Sequence, residues 1–222
     1  MIRAIVTDID GTITDIRRRV QWEAIDALRR LQEGGTYTMI ASGNVLPVAF
    51  GLHTFIGMNG SIIAENGGIV AKGEDVHRIH SNEMAMKAFE HLRQRMPVER
   101  LFTDRWRETQ VALKLTVSAE EVQDALEGWD IEIETTGFAI HLMEKGQSKM
   151  SGVRKACELL DIDVEEVAAF GDSDNDAKML RGCGSGIAVA NASPAAKEAA
   201  DYVAERPYAE GVVEGLRWLG LL

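Results

Sequence analysis

Residues 4–15 read AIVTDIDGTITD. From Ile2 to Thr7 the chain has the near-continuous apolar character of a strand covered on both faces. It then sets Asp8 and Asp10 on either side of one isoleucine, followed at once by Gly11 and Thr12. A solvated acidic turn accounts for that pair taken alone. A reaction centre accounts for it only if the rest of the chain supplies partners.

Trp22, Ile25, Leu28 and Leu31 recur at helical spacing, and Gly34–Gly35 provides the stop. Tyr37 to Ala41 (YTMIA) is a second buried strand, ending at Ser42-Gly43-Asn44. Strand, helix and strand with short connections form a βαβ unit and imply a parallel sheet. Ile62–Ala64 and Ile69–Ala71 flank ENGG, a hairpin signal. The same architecture resumes late in the chain. A helical face at Val153, Ala156, Cys157 and Leu160 precedes the strands VAAF (167–170) and IAVA (187–190), and Val212, Leu216 and Leu219 mark a final helix.

Between Ser81 and Lys145 the pattern changes. A helix from Asn82 to Arg95 leads into VALKLTV (111–117), which alternates like a half-exposed strand. A helix from Ala119 to Leu126 and strands at Ile131–Thr135 and Phe138–Leu142 follow, the strands joined at Thr136–Gly137. This is an α+β unit. It reads as an insertion (81–145) that splits an α/β main domain into residues 1–80 and 146–222.

Composition narrows the function. The chain has 222 residues, 45% hydrophobic and 27% charged, and 35 acidic against 24 basic side chains give a formal net charge of −11. Such a balance disfavours nucleic-acid binding, which needs basic surface to displace counterions. Cys157 and Cys183 form neither a CxxC pair nor a zinc-type cluster, which disfavours a disulfide framework. The N-terminus meets acidic residues too early for a signal peptide, and no apolar run approaches the roughly 20 residues of a membrane helix. The expectation is a cytoplasmic protein, monomer or homodimer, with no nucleic-acid or membrane partner.

Three motifs follow three predicted strands: Asp8-Ile9-Asp10-Gly11-Thr12, Ala41-Ser42-Gly43-Asn44 and Gly171-Asp172-Ser173-Asp174-Asn175-Asp176. Ligands of open α/β sheets bind beyond the carboxyl ends of the strands, so the three are expected to share one crevice. DIDGT, Ser42, Lys149 in GQSKMSG and GDSDND, in this order, resemble the phosphatases of the haloacid dehalogenase-like (HAD) superfamily over nearly the whole chain. That resemblance implies a Rossmann-like parallel-sheet core with an inserted α+β cap. SGNVLP and IAENGG are most similar to archaeal-type phosphoglycolate phosphatases, which implies 2-phosphoglycolate as the small phosphorylated metabolite acted on.

Phosphoryl transfer needs an in-line nucleophile, charge neutralisation and a proton donor for the leaving oxygen. A carboxylate can attack and form an aspartyl phosphate, which divides one hard step into two; Asp8 is assigned that role. The matching family position makes Asp10 the acid and then the base, its backbone carbonyl facing the metal. Two unit charges about 4 Å apart interact by roughly 4 kcal/mol at an effective dielectric near 20. A phosphate dianion facing Asp8 and Asp172 therefore calls for a hard cation, and Mg²⁺ suits carboxylates, phosphate and water. Its ligand set is Asp8 and Asp172 through their side chains, Asp10 through its carbonyl, and Asp176 either directly or from behind the direct ligands. Ser42, Gly43 and Asn44 are assigned to the phosphoryl oxygens, Gly11 and Thr12 to the turn beside them, Lys149 to charge neutralisation and Asn175 to the substrate. Lys145 is the alternative lysine.

Arg105, Arg107, Lys114 and His141, all in the insertion, are candidates to meet a substrate carboxylate. Ser42 has a plain alternative as a helix N-cap. An EF-hand reading of GDSDND fails, because Ala177 and Cys183 stand where the loop wants glycine and glutamate. The competing functions are a sugar-phosphate phosphatase, a phosphomutase needing the same parts, and a phosphate-binding module without turnover.

Overall fold

The computed structural model describes residues 1–222. In chain order the elements are β1 (Ala4–Thr7), α1 (Trp22–Glu33), β2 (Tyr37–Ala41), α2 (Leu46–Ile56), β3 (Ile62–Ala64), β4 (Ile69–Lys72) and β5 (Asp75–Arg78). Next come α3 (Glu83–Leu92), β6 (Gln110–Leu113), α4 (Ala119–Ala125), β7 (Ile131–Thr135) and β8 (Ile140–Glu144). The chain ends with α5 (Lys149–Leu160), β9 (Val167–Gly171), α6 (Ala177–Gly182), β10 (Ser185–Ala188), α7 (Pro194–Ala199), β11 (Tyr202–Val203) and α8 (Tyr208–Trp218).

Eight strands form one sheet in the order β11-β10-β9-β1-β2-β3-β4-β5. Pairing is parallel from β11 through β3 and antiparallel for β3-β4-β5. Because β1 lies between β2 and β9, its residues Ala4 to Thr7 are all buried. Ile5 and Phe170 are fully buried in the same core, and each such side chain contributes about 1.5–3 kcal/mol. The carboxyl ends of β1, β2 and β9 therefore lie side by side.

A second sheet, β6-β8-β7, is antiparallel and closes a separate apolar cluster with α3 and α4, including Ala85, Leu92, Val111, Val122 and Leu142. Here the structure departs from the sequence expectations. The strand expected over 111–117 stops at Leu113, where a turn begins, and all four residues of β6 are buried instead of half-exposed. One face, Val111 and Leu113, packs in the small cluster; on the other, Gln110 reaches across to Gly43 O in the turn after β2. The strand expected from Phe138 starts at Ile140, because Thr136 N–H bonds Ala139 O and holds Phe138 in the hairpin turn. The strand expected at 187–190 runs from Ser185 to Ala188.

Candidate active site

Asp8 follows β1 directly, and its N–H bonds Phe170 O of β9 at 2.9 Å. Across the neighbouring strand end, Ser42 N–H bonds Ile63 O at 2.9 Å. The chain beyond β9 makes a short 3-10 turn in which Asp176 Oδ2 accepts the N–H groups of Asp172 (3.0 Å) and Ser173 (2.9 Å). Hydrogen bonding of this kind fixes a carboxylate far better than a flexible acidic loop would.

Lys149 is the first residue of α5, a helix started by reciprocal bonds between Ser148 and Ser151. Its ammonium is almost fully buried and lies 2.5 Å from Asp8 Oδ1 and 2.6 Å from Asp176 Oδ1. Gly67, at φ +87, lets the main chain approach this helix start, where any Cβ would collide with Ser148 O. Burial alone would depress the Lys149 pKa, but the carboxylates of Asp176 and Asp8 outweigh it and raise it. Lys145, the other lysine considered, is exposed and pairs with Asp130 at 2.9 Å, away from this cluster.

The acids carry the opposite imbalance. Burial lifts Asp8 well above the usual carboxylate range; Lys149 pulls it back, while Asp176, Asp172 and Asp10 push it up again. Asp172 is pushed up to about 6, by burial first and then by Asp176, despite Lys149 and the Thr12 hydroxyl 3.1 Å from its Oδ1. Carboxylate oxygens of Asp8, Asp172 and Asp176 lie within 4.8 Å of one another. Three carboxylates against one ammonium leave negative charge that a divalent cation would offset, and an all-oxygen donor set without His or Cys matches a hard ion. Both Asp176 oxygens already accept hydrogen bonds, so Asp8 and Asp172 have the freer oxygens. The Asp10 carboxylate stands outside this cluster: Oδ1 accepts Arg18 Nε at 2.7 Å and Oδ2 accepts Asn44 Nδ2 at 2.9 Å.

Gly11 adopts φ +92, and a Cβ there would strike the Asp172 carboxylate. Ser42 Oγ accepts Asn44 N–H at 3.0 Å, whereas α2 is preceded by Val45, so the N-cap reading of Ser42 falls. Asn175 Nδ2 donates to Asn66 Oδ1 at 3.1 Å, leaving its own Oδ1 buried and without a partner. Asp8, Asp10, Gly11, Gly43, Asp172 and Asn175 line a cleft of about 400 Å³, roofed from the smaller sheet by Thr136, Gly137 and Phe138.

None of the four basic residues singled out in the insertion lines this cleft. Arg105 lies over Phe102, Lys114 pairs with Glu99, and Arg107 is buried with Nη1 donating to Gly43 O at 2.9 Å. His141 is fully buried between Gln110 Oε1 and Thr136 Oγ1, each at 3.1 Å. Gln110 Oε1 can only accept, which places the ring proton on Nδ1. Burial, then Arg107 and Lys149, hold His141 far below its ordinary pKa. Sequence reading missed Arg18, Glu65 and Gln110, the last donating to Gly43 O at 3.3 Å. Only the stretch ENGG hinted at one of them.

Fold and site together define an α/β protein with an acidic oxygen-donor centre at the carboxyl ends of its parallel strands. The chain belongs to the haloacid dehalogenase-like hydrolase family, whose model matches residues 5–107 and 109–216. It is 39% identical over 216 residues to a phosphoglycolate phosphatase of Methanothermobacter thermautotrophicus, covering 97% of this chain and 98% of that one. A phosphoglycolate phosphatase of Methanopyrus kandleri is 41% identical over 226 residues, covering 99% and 97%. The crystal structure of Thermoplasma acidophilum 0175 superposes with a TM-score of 0.93 at 30% identity, over 100% of both chains. The HAD resemblance read from the motifs is thus borne out.

Proposed function

We propose that this protein is a Mg²⁺-dependent phosphomonoesterase that hydrolyses 2-phosphoglycolate through an aspartyl phosphate on Asp8. The carrying observation is Asp8 itself, lining the cleft at the end of β1 with Oδ1 held by Lys149 and Oδ2 free of any hydrogen bond. The full-length likeness to two archaeal phosphoglycolate phosphatases supports the substrate.

Asp8 Oδ2 attacks phosphorus while the bond to the leaving oxygen breaks, and Asp10, steadied by Asn44 and Arg18, gives that oxygen its proton. Asp10 then takes a proton from the water that cleaves the aspartyl phosphate. The Ser42 hydroxyl and the N–H groups of the following turn hold phosphoryl oxygens. Lys149 orients Asp8 and opposes the burial that favours its protonation. Asp8, Asp172 and the Asp10 carbonyl would hold the Mg²⁺, with Asp176 fixing the loop that carries Asp172. The ion supplies neutralisation of the charge between the carboxylates and phosphate. Residues 81–145 serve as a cap over the core of residues 1–80 and 146–222, its 136–138 turn closing the cleft against water. The acidic composition and two free cysteines support a cytoplasmic enzyme acting on a small metabolite.

The test is phosphate release from 2-phosphoglycolate, several sugar phosphates and an aryl phosphate, with Mg²⁺ and with a chelator. The highest kcat/KM for 2-phosphoglycolate, lost with the chelator, is the expected result. A preferred sugar phosphate would replace the substrate, and no release from any compound would overturn the enzyme.

A further inference from the structure

The cleft is lined by four carboxylates, Asp8, Asp10, Asp15 and Asp172, and by a single cationic side chain, Arg18. Arg18 uses only Nε within the protein, on Asp10 Oδ1 at 2.7 Å; its Nη1 and Nη2 donate no hydrogen bond. The guanidinium also lies 4.9 Å from the centroid of the Phe138 ring, in the roof turn. Its backbone is held at φ +59, a conformation rare for a residue with a side chain. Asp15 maintains that loop: its Oδ1 accepts the N–H groups of Arg17 and Arg19, and its carbonyl accepts that of Arg18.

We propose that Arg18 is the specificity residue of this site, its free guanidinium nitrogens binding a carboxylate carried on the carbon next to the phosphate ester. The inference rests on the phosphatase reading above and deepens it. Asp10 must touch the leaving oxygen to protonate it, and Arg18 is bonded to that same carboxylate. A group attached within two bonds of the leaving oxygen therefore comes up against Arg18. A planar guanidinium with two free donors matches a carboxylate in a paired fork, and the Phe138 ring restricts its plane. Without it, no cationic side chain lining the cleft would be left to meet an anionic substituent. The selected class is thus phosphorylated 2-hydroxy acids of two or three carbons.

The experiment compares kcat/KM for 2-phosphoglycolate with that for 2-hydroxyethyl phosphate, which replaces the carboxylate by a neutral CH2OH group. In Arg18→Gln the ratio of the two should fall about 10- to 100-fold, chiefly through KM for phosphoglycolate, and Arg18→Lys should keep part of it. An equal loss on both substrates would reduce Arg18 to positioning Asp10 and overturn the proposal. So would a wild-type ratio near one, which leaves the phosphatase itself standing. Wild-type protein inert on both esters would sink the underlying phosphatase reading as well.

Discussion

The Glu65 carboxylate receives both the N–H and the hydroxyl of Thr109, at 2.9 and 2.8 Å, and so ties the turn after β3 to the strand entering the smaller sheet. Glu65 is fully buried, and burial raises its pKa even though Thr109 and Arg107 favour its charge. Glu65→Ala should destabilise the protein by about 2–4 kcal/mol, since it strands the buried N–H and hydroxyl of Thr109 and the part-buried N–H of Glu108. Urea unfolding of the variant measures this, and a loss below about 0.5 kcal/mol would contradict the clamp.

Asp8→Asn should lower phosphate release by about 10⁴-fold or more while leaving the far-ultraviolet spectrum unchanged. Lys149 retains its contact with Asp176, so the fold keeps half of its buried pairing. Substantial turnover in pure Asp8→Asn protein would remove Asp8 from the nucleophile role.

Replacing Lys149 by Met leaves Asp8 and Asp176 buried without their cation. At pH 7 the cost should be about 3–5 kcal/mol. At pH 5 part of that loss returns, because an unpaired buried carboxyl takes up a proton readily. Denaturant titrations at the two pH values give the comparison, and a pH-independent loss would argue for packing alone.

Glu134, within reach of the charges of Lys149 and Asp176, supplies a separate pH signature. Burial pushes its carboxyl from 4.5 up to about 7, against the pull of Lys178 and Lys149, and its Oε2 has no hydrogen-bond partner. The folded state therefore holds this proton more tightly than the unfolded chain. Stability from this group is complete below pH 4.5 and is lost as pH rises through about 7. Glu134→Gln should match wild type near pH 4 and exceed it by roughly 3 kcal/mol at pH 8. Equal stability of the two proteins at pH 8 would count against the shift.

Saturating Mg²⁺ should raise the melting temperature of the wild-type chain, by about 2.7 kcal/mol of stability at a hundred times Kd. Asp172→Asn, which removes a charge from the three-carboxylate cluster, should abolish most of that gain. An undiminished Mg²⁺ response in the variant would place the ion elsewhere.

The main sheet and its acidic motifs were legible because their causes are local. A buried central strand must be apolar throughout, which made VTDID readable at Thr7, and Gly11 marks a backbone angle that side chains avoid. Arg18, Glu65 and Gln110 left no such trace. Arg18 sits in a charged run (RRR, 17–19) that reads as solvated surface, and only the tertiary fold brings it onto Asp10. The local signal in ENGG is that of a hairpin, yet Glu65, Asn66 and Gly67 all take positive φ to aim Glu65 at Thr109 and admit the start of α5. In the insertion, alternation within VALKLTV suggested a wet face, because the partner of the neighbouring Gln110 is the distant turn at Gly43, beyond β2.

Lys149 lies 141 residues beyond Asp8, and Thr12 bonds a carboxylate 160 residues away. While the chain is being made, the ribosome releases Asp8 long before its counter-charge. A nascent fragment therefore carries Asp8 and the Ser42 turn without Lys149, Asp172 or Asp176. Strand β1 must also wait for β9 before its second edge is closed. The segment that closes the second edge of β1 is thus synthesised together with the lysine that neutralises Asp8, so the sheet and its buried charge pair are completed by the same late stretch of chain.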